Sequence, residues 1–110
     1  MRVLITGASG FTASYLIESF AIEAKCELYL TDCVTSGLGN ILNCDLIQKS
    51  QVEGLIGKIR PERIYHLAGS FTNNYEIDYP VNVLSTKNIL DALLKFNISS
   101  RMLLLVSLIS

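Results

Sequence analysis

The chain has 110 residues, half of them apolar, and a mean hydropathy of +0.40, so it is long enough for one small packed domain and too apolar to be wholly disordered. Nine Lys and Arg against ten Asp and Glu give a net charge of −1, which excludes the basic surplus expected of a protein that binds nucleic acid. Three cysteines without a C-x-x-C spacing argue against a disulfide framework and a metal site, and favour reduced thiols in a cytoplasmic protein. The N-terminal apolar run reaches Gly7 too early for a signal peptide, and Met102–Val106 is too short to cross a membrane.

The spacing of apolar residues alternates between that of buried strands and that of helices. Short apolar runs predict strands, and apolar residues three and four apart predict helices. In chain order the predicted elements are a strand over Arg2–Thr6, a helix over Phe11–Ala24, strands over Glu27–Thr31 and Ile41–Cys44, a helix over Gln48–Ile59, a strand over Arg63–Leu67, a helix over Val81–Phe96 and a strand over Arg101–Ser107. Strands that alternate with helices predict an α/β fold with a parallel sheet.

Two stretches carry local signals about where helices begin. Ser50 and Glu53 have the spacing of a capping box, which would place the start of the second helix near Ser50. Before the third helix, a polar loop is predicted, in which side chains either face a substrate or are solvated: Tyr75, Asp78 and Tyr79.

The sharpest motif is the glycine-rich turn Gly7–Ala13, which follows the first predicted strand and opens the first helix. Gly7 allows a tight turn off the strand, Gly10 allows a pyrophosphate to approach the backbone, and Ala13 lets the helix pack close to the sheet. The N–H groups at the helix start attract the anion. An ordinary strand-to-helix turn is the alternative, but the position in a βαβ unit favours a dinucleotide-phosphate site formed by Gly7, Ser9, Gly10 and Phe11.

Asp32 carries the second signal, because it follows the second predicted strand. A carboxylate at that point binds the ribose hydroxyls of NAD and repels the 2′-phosphate of NADP. No Lys or Arg follows at positions 33–36 to neutralise that phosphate. The predicted cofactor is therefore NAD rather than NADP, and a solvated strand-end aspartate is the alternative.

With these residues in view, the sequence resembles the extended short-chain dehydrogenase/reductases, the NAD(P)-dependent epimerases, dehydratases and reductases of nucleotide sugars. The resemblance runs the whole length of the chain and rests on Thr6–Phe11, Cys44–Leu46, His66–Gly69, Asn82–Leu90 and Arg101–Ser107. The stretch Phe71–Tyr75 is most similar to the branch that handles GDP-linked deoxyhexoses. The resemblance implies a Rossmann-type, doubly wound parallel sheet, truncated after the fifth strand. Residues 1–110 would be the N-terminal part of a dinucleotide-binding domain, and the substrate domain would be absent.

The resemblance also implies site roles. Asp45, followed by Leu46, matches the aspartate that hydrogen-bonds the adenine, and Ser107 matches the catalytic serine that hydrogen-bonds the reacting sugar hydroxyl. A strand-end serine is the alternative for Ser107. The segment implied to lie along the cofactor consists of Leu67, Ala68 and Gly69. His66 lacks partners at metal-ligand spacing, so it is expected beside the cofactor or in a polar network.

Two departures from the family pattern limit what the resemblance implies. Ser85 stands where the family has glycine. None of the five tyrosines has a lysine four residues on, so the family's Tyr-x-x-x-Lys acid/base pair is missing. Three interpretations stay open: a part of a nucleotide-sugar enzyme that moves hydride between sugar C4 and nicotinamide, a stand-alone NAD-binding regulatory module, or a non-functional truncated remnant. The expected partner is a nucleotide sugar in the full-length family, and the apolar last strand predicts homodimerisation or aggregation through an exposed sheet edge.

Overall fold

Within residues 1–21, 25–33, 41–69 and 72–104, which are those that the computed structural model describes, five parallel strands form one sheet in the order β3-β2-β1-β4-β5. The strands are β1 (Arg2–Thr6), β2 (Glu27–Asp32), β3 (Ile41–Asn43), β4 (Arg63–His66) and β5 (Arg101–Leu104). The chain runs outward from β1 to β3 and then crosses to the other side of β1. This reversal confirms the predicted doubly wound parallel sheet.

Helices cover both faces of the sheet. They are α1 (Phe11–Ala21), α2 (Lys49–Ile59), α3 (Tyr75–Tyr79), a π-helical turn (Pro80–Leu84) and α4 (Ser85–Lys95). One core cluster joins α1 to the sheet, and a second joins the sheet to α2 and α4, which pack side by side. The predicted end of the first helix and the last three residues of the predicted fifth strand lie outside the described residues.

The central strand β1 shows why its sequence is a continuous apolar run. Val3, Leu4 and Ile5 are all 0% exposed. Leu4 belongs to the cluster under α2 and α4, whereas Val3 and Ile5 belong to the cluster under α1. Because successive side chains point to opposite faces, a strand covered on both faces needs apolar residues at every position. Each such side chain stabilises the fold by roughly 1.5–3 kcal/mol.

The start of α2 corrects the capping-box prediction. The N-cap is Gln48, whose side chain makes no capping hydrogen bond, and Ser50 lies inside the first turn. The Gln48 N–H instead donates to the Asp45 carbonyl at 3.0 Å. The Asp45 N–H donates to Gln51 Oε1 at 2.9 Å. The turn after β3 and the start of α2 are therefore joined by hydrogen bonds. The capping-box pattern considers only residues within the helix start and does not predict these bonds.

The segment before α4 was predicted as a loop and is helical in the structure. The Asn74 side chain caps α3 by accepting the Glu76 N–H at 3.1 Å. The Asp78 carboxylate accepts the N–H and the hydroxyl of Thr72, and the N–H of Asn73. These bonds satisfy the donors of the approaching chain, so one helical turn forms where composition favoured a loop. Three residues predicted to lie in a loop thus belong to helix α3: Tyr75, Asp78 and Tyr79.

Pro80 lies inside this helical segment, and a π-helical turn accommodates it. Proline has no N–H and its ring crowds the preceding turn, so an ordinary α-helix is disrupted there. The Ser85 N–H donates to the Pro80 carbonyl across five residues. The wider turn lets the helix continue into α4, and the predicted start at Val81 was therefore too late.

Candidate functional site

A cavity opens where the carboxyl ends of β1 to β4 meet. Five of the residues that line it are predicted site residues: Gly7, Asp32, Asp45, Leu46 and Ala68. The reversal of strand order at β1 creates this crevice, and ligands of doubly wound folds bind at such a point. The topology thus brings together residues that are far apart in sequence.

Gly7 is required by the fold itself. Its φ is +64°, a conformation that other residues adopt only with strain. A Cβ at this position would lie 2.8 Å from the Ala68 backbone nitrogen. The neighbouring Ala8 N–H donates to the Thr31 carbonyl at 3.1 Å. The turn therefore lies in close contact with the ends of β2 and β4, and there is no space for a side chain at Gly7.

Gly10 is placed differently. A Cβ there would meet only the Gly7 carbonyl oxygen, at 3.2 Å, and the backbone is not in the left-handed region. The Gly10 N–H donates to that same oxygen at 3.0 Å, and α1 begins at the next residue. The first N–H groups of α1 have no partner within the helix. A small side chain at Gly10 would therefore require this one oxygen to move by a few tenths of an ångström, whereas Gly7 is constrained by both its backbone conformation and a neighbouring strand end.

Asp32 is tied to the glycine-rich turn. The Ser9 N–H donates to Asp32 Oδ2 at 3.0 Å, and the Ser9 hydroxyl donates to the same oxygen at 2.5 Å. The carboxylate at the end of β2 therefore stands directly beside the turn after β1. This is the relative placement that a ribose-binding carboxylate and a phosphate-binding turn require.

The segment after β3 is held by a buried asparagine that sequence reasoning did not single out. Asn88 is 8% exposed, and its Nδ2 donates to the Leu46 carbonyl at 2.9 Å and to the Ile47 carbonyl at 3.1 Å. The Ile47 N–H donates to Asp45 Oδ1 at 3.1 Å. Asn88 belongs to the Asn82–Leu90 stretch that resembles the family pattern. The sequence thus marked this residue, but it did not reveal the hydrogen bonds that the side chain makes. α4 uses this side chain to fix the floor of the cavity.

His66 lies in a buried polar network, as predicted. Thr6 Oγ1 is 2.7 Å from His66 Nδ1, and Ser85 Oγ is 3.1 Å from His66 Nε2. The Ser85 hydroxyl donates to the Val81 carbonyl, so its oxygen accepts the proton on Nε2. Nδ1 then accepts from the Thr6 hydroxyl. All three side chains are at most 1% exposed, and burial lowers the pKa of His66 to about 4.

This network also positions the segment after β4. Thr6 Oγ1 accepts the N–H of Leu67 at 3.0 Å and that of Ala68 at 3.2 Å. The neutral imidazole therefore connects the ends of β1 and β4 to the start of α4. Ser85, the departure from the family's glycine, supplies a hydrogen-bond partner that glycine lacks.

The remaining predicted site residues are less enclosed. The Phe11 side chain is 79% exposed and packs edge-on against Tyr15, with the ring centroids 5.2 Å apart. Gly69 is exposed beyond the end of β4. Ser107 lies outside the described residues. At Phe11, therefore, the backbone rather than the side chain belongs to the glycine-rich turn.

Comparison with known proteins identifies the family. The sequence profile of the NAD-dependent epimerase/dehydratase family matches residues 3–108. The chain belongs to this family. As a member of it, the chain is 34% identical to CDP-paratose 2-epimerase of Salmonella typhi over 115 residues, covering 88% of this chain and 34% of that protein. It is 29% identical to GDP-6-deoxy-D-talose 4-dehydrogenase of Aggregatibacter actinomycetemcomitans over 102 residues, covering 90% of this chain and 32% of that protein.

Solved structures agree with this family assignment. The complex of Thermus thermophilus UDP-glucose 4-epimerase with NAD superimposes with a TM-score of 0.75 at 26% identity, over 89% of this chain and 35% of that one. This family member thus spans about a third of the length of the relatives it matches. Among its described residues, no helix has the length and apolar character needed to cross a membrane.

Proposed function

We propose that this chain binds NAD in the cavity at the carboxyl ends of β1 to β4. The turn residues Gly7, Ser9, Gly10 and Phe11 form the pyrophosphate site, in which the N–H groups at the start of α1 and the positive end of that helix bind the anion. Asp32 binds the ribose hydroxyls, Asp45 and Leu46 form the adenine subsite, and the segment Leu67, Ala68 and Gly69 lies along the rest of the cofactor. The observation that carries this proposal is the pair of hydrogen bonds from Ser9 to Asp32, because it joins the phosphate turn to the ribose carboxylate.

Asp32 also supports a preference for NAD over NADP. A 2′-phosphate bound beside this carboxylate would meet a like charge at close range, which is unfavourable in a partly buried site. Calorimetric titration of the chain with each dinucleotide tests the preference. The expected result is tighter binding of NAD than of NADP. The Asp32→Ala substitution should weaken NAD binding and reduce the difference in affinity between the two dinucleotides. Equal or tighter binding of NADP would contradict it.

We further propose that residues 1–110 are the N-terminal part of a dinucleotide-binding domain whose substrate domain is absent from this sequence. In the complete protein, hydride would pass between C4 of a nucleotide-linked sugar and the nicotinamide, and Ser107 would hydrogen-bond the reacting hydroxyl. The names of the relatives, an epimerase acting on a CDP-linked sugar and a dehydrogenase acting on a GDP-linked one, support this class of substrate.

The 110 residues alone are expected to catalyse no turnover, because no Tyr-x-x-x-Lys pair is present to move the hydroxyl proton. Incubation with NAD and nucleotide sugars, followed by NADH absorbance and product analysis, tests this expectation. Turnover by the purified chain would overthrow it.

A further inference from the structure

Two of the three cysteines lie next to each other at the rim of the cavity. Cys33 follows β2 and Cys44 follows β3, and these strands pair in parallel with Asp32 opposite Asn43. The Cys44 N–H donates to the Asp32 carbonyl at 3.0 Å. In a parallel ladder this hydrogen bond belongs to the Asp32–Asn43 pair, and Cys33 and Cys44 are the residues that follow that pair on the two strands. Their backbones are therefore neighbours where the ladder ends.

This placement suits a covalent bond between the two sulfurs. Neighbouring strands are about 4.8 Å apart, and a disulfide accepts Cα separations of about 4.4–6.8 Å. Both cysteines line the same cavity. Both also stand just beyond the last paired residues of their strands. Cys33 is exposed and Cys44 is buried, so an oxidant in solvent meets Cys33 first.

We propose that Cys33 and Cys44 form a reversible disulfide at the mouth of the nucleotide cavity under oxidising conditions, and that this bond weakens nucleotide binding. The oxidant is a hydroperoxide. The Cys33 thiolate attacks the peroxide, the O–O bond breaks, and Cys33 becomes a sulfenic acid while water or an alcohol leaves. The Cys44 sulfur then attacks Cys33, the S–O bond breaks and a water leaves. In total the two thiols lose two protons and two electrons, and the peroxide gains them.

In the reduced state the pair is protected from casual oxidation. Burial and the neighbouring Asp32 charge raise the pKa of Cys33. Burial and the Asp45 charge raise the pKa of Cys44. Both groups are therefore thiols at neutral pH, and a thiol reacts far more slowly than a thiolate. A dedicated oxidant, rather than dissolved oxygen, is needed to form the bond.

The consequence for binding rests on the proposed NAD function. Cys33 is adjacent to Asp32, the proposed ribose ligand, and Cys44 is adjacent to Asp45 in the proposed adenine subsite. In the reduced chain the Cys33 thiol is a side-chain hydrogen-bond partner of Asp32. A bond between the two sulfurs removes this contact and places a rigid cross-link at the cavity mouth, so the surroundings of the proposed ribose ligand change.

The test is oxidation of the full chain with hydrogen peroxide, with and without NAD, followed by peptide mass mapping and calorimetric titration. The expected product is a loss of two hydrogens with Cys33 linked to Cys44, at least tenfold weaker NAD binding, and recovery with a thiol reductant. NAD present during oxidation should protect the pair. Cys33→Ser and Cys44→Ser should keep their NAD affinity after peroxide treatment. Cys26→Ser is the matched control and should behave as the unsubstituted chain does.

Cys26 also distinguishes a disulfide formed in the folded chain from one formed in an unfolded chain. It is closer in sequence to Cys33 than Cys44 is, so in an unfolded chain loop-closure entropy favours linkage of Cys26 to Cys33. Linkage that includes Cys26, or no linkage at all, would overturn the disulfide. A Cys33–Cys44 bond with unchanged NAD affinity would overturn the effect on nucleotide binding. Failure of the reduced chain to bind NAD would count against the proposed function, whereas the mass map would still decide the disulfide.

Discussion

At the scale of single residues, the two glycines of the turn are required for different reasons. Gly7 is fixed by its positive φ and by the Ala68 backbone 2.8 Å from where a Cβ would be. Gly10 has no positive φ, and its Cβ would make one tight contact, 3.2 Å from the Gly7 carbonyl oxygen. A requirement set by the fold and a requirement set by a ligand can therefore be separated by substituting each glycine in turn.

Gly7→Ala is expected to destabilise the fold by at least about 1–2 kcal/mol, through the cost of a left-handed alanine and the clash with the segment after β4. Gly10→Ala is expected to change stability by less than about 1 kcal/mol. It should nevertheless weaken NAD binding more than tenfold, because the methyl group occupies the approach of the pyrophosphate. Urea unfolding and titration of both variants measure the two effects. If the Gly10→Ala chain folds and binds NAD normally, the turn is not the phosphate site.

His66 gives the fold a defined response to pH. Its pKa is lowered to about 4 in the folded chain, against about 6.5 when unfolded, so the fold favours the neutral ring. The unfolded state binds the extra proton first as pH falls, so stability is complete above about pH 6.5 and is lost between about pH 6.5 and 4. A loss of about 2 kcal/mol is expected between pH 7 and pH 5.

Urea unfolding at the two pH values measures this loss, with His66→Gln as the control. Glutamine does not titrate, so the variant should be less stable at pH 7 but should show a much smaller pH dependence. An equal slope in both chains would mean that another group is responsible.

At the scale of elements, α4 supports the site from behind. Asn88 binds two carbonyl groups of the segment after β3, so Asn88→Ala leaves both without this donor. A loss of about 1–3 kcal/mol is expected, together with weaker NAD binding as the adenine subsite loosens. Lys87→Ala is the matched control on the same helix. Its ion pair with Asp91 is exposed, so its removal should cost less than about 1 kcal/mol.

Thermal unfolding and amide hydrogen exchange at Ile47 compare the two variants. Faster exchange at Ile47 is expected only in Asn88→Ala. An Asn88→Ala chain as stable as Lys87→Ala, with unchanged exchange, would show that Asn88 does not hold this segment.

The same elements show how far local sequence patterns predict this structure. The bounds of β1 were predicted correctly because a buried strand is encoded by adjacent apolar residues. The start of α3 was missed because Asn74 and Asp78 satisfy backbone donors through bonds that a polar composition does not reveal. The roles of Asn88 and Ser85 were missed for another reason. Their partners belong to distant segments, so their bonds exist only once the sheet has formed. Five of the predicted site residues line one cavity because a glycine-rich turn and a strand-end carboxylate keep their spacing in a βαβ unit.

At the scale of the whole molecule, the sheet has an apolar edge. Among the described residues, β5 pairs with β4 alone, and Leu103 and Leu104 are 57% and 44% exposed. Edge strands offer unpaired N–H and C=O groups to another chain. The chain is therefore expected to associate as its concentration rises. Sedimentation velocity across a concentration series measures this association.

Leu103→Lys should reduce the association, because a charge on an edge strand disfavours pairing and apolar contact. Leu94→Lys is the control, since Leu94 is 80% exposed and belongs to α4 rather than to the edge strand. Association that persists in Leu103→Lys and disappears in Leu94→Lys would place the interface on the helix instead.

The central claim is that NAD occupies the cavity between the glycine-rich turn and the ends of β2, β3 and β4. The most direct test is an NMR titration of the isotopically labelled, reduced chain with NAD, following each backbone amide. The account predicts saturable shifts grouped at Gly7–Phe11, Asp32, Asp45–Leu46 and Leu67–Gly69, with no comparable shifts at the opposite end of the sheet, around Arg2 and Glu62. No saturable shifts, or shifts centred away from these four segments, would contradict it.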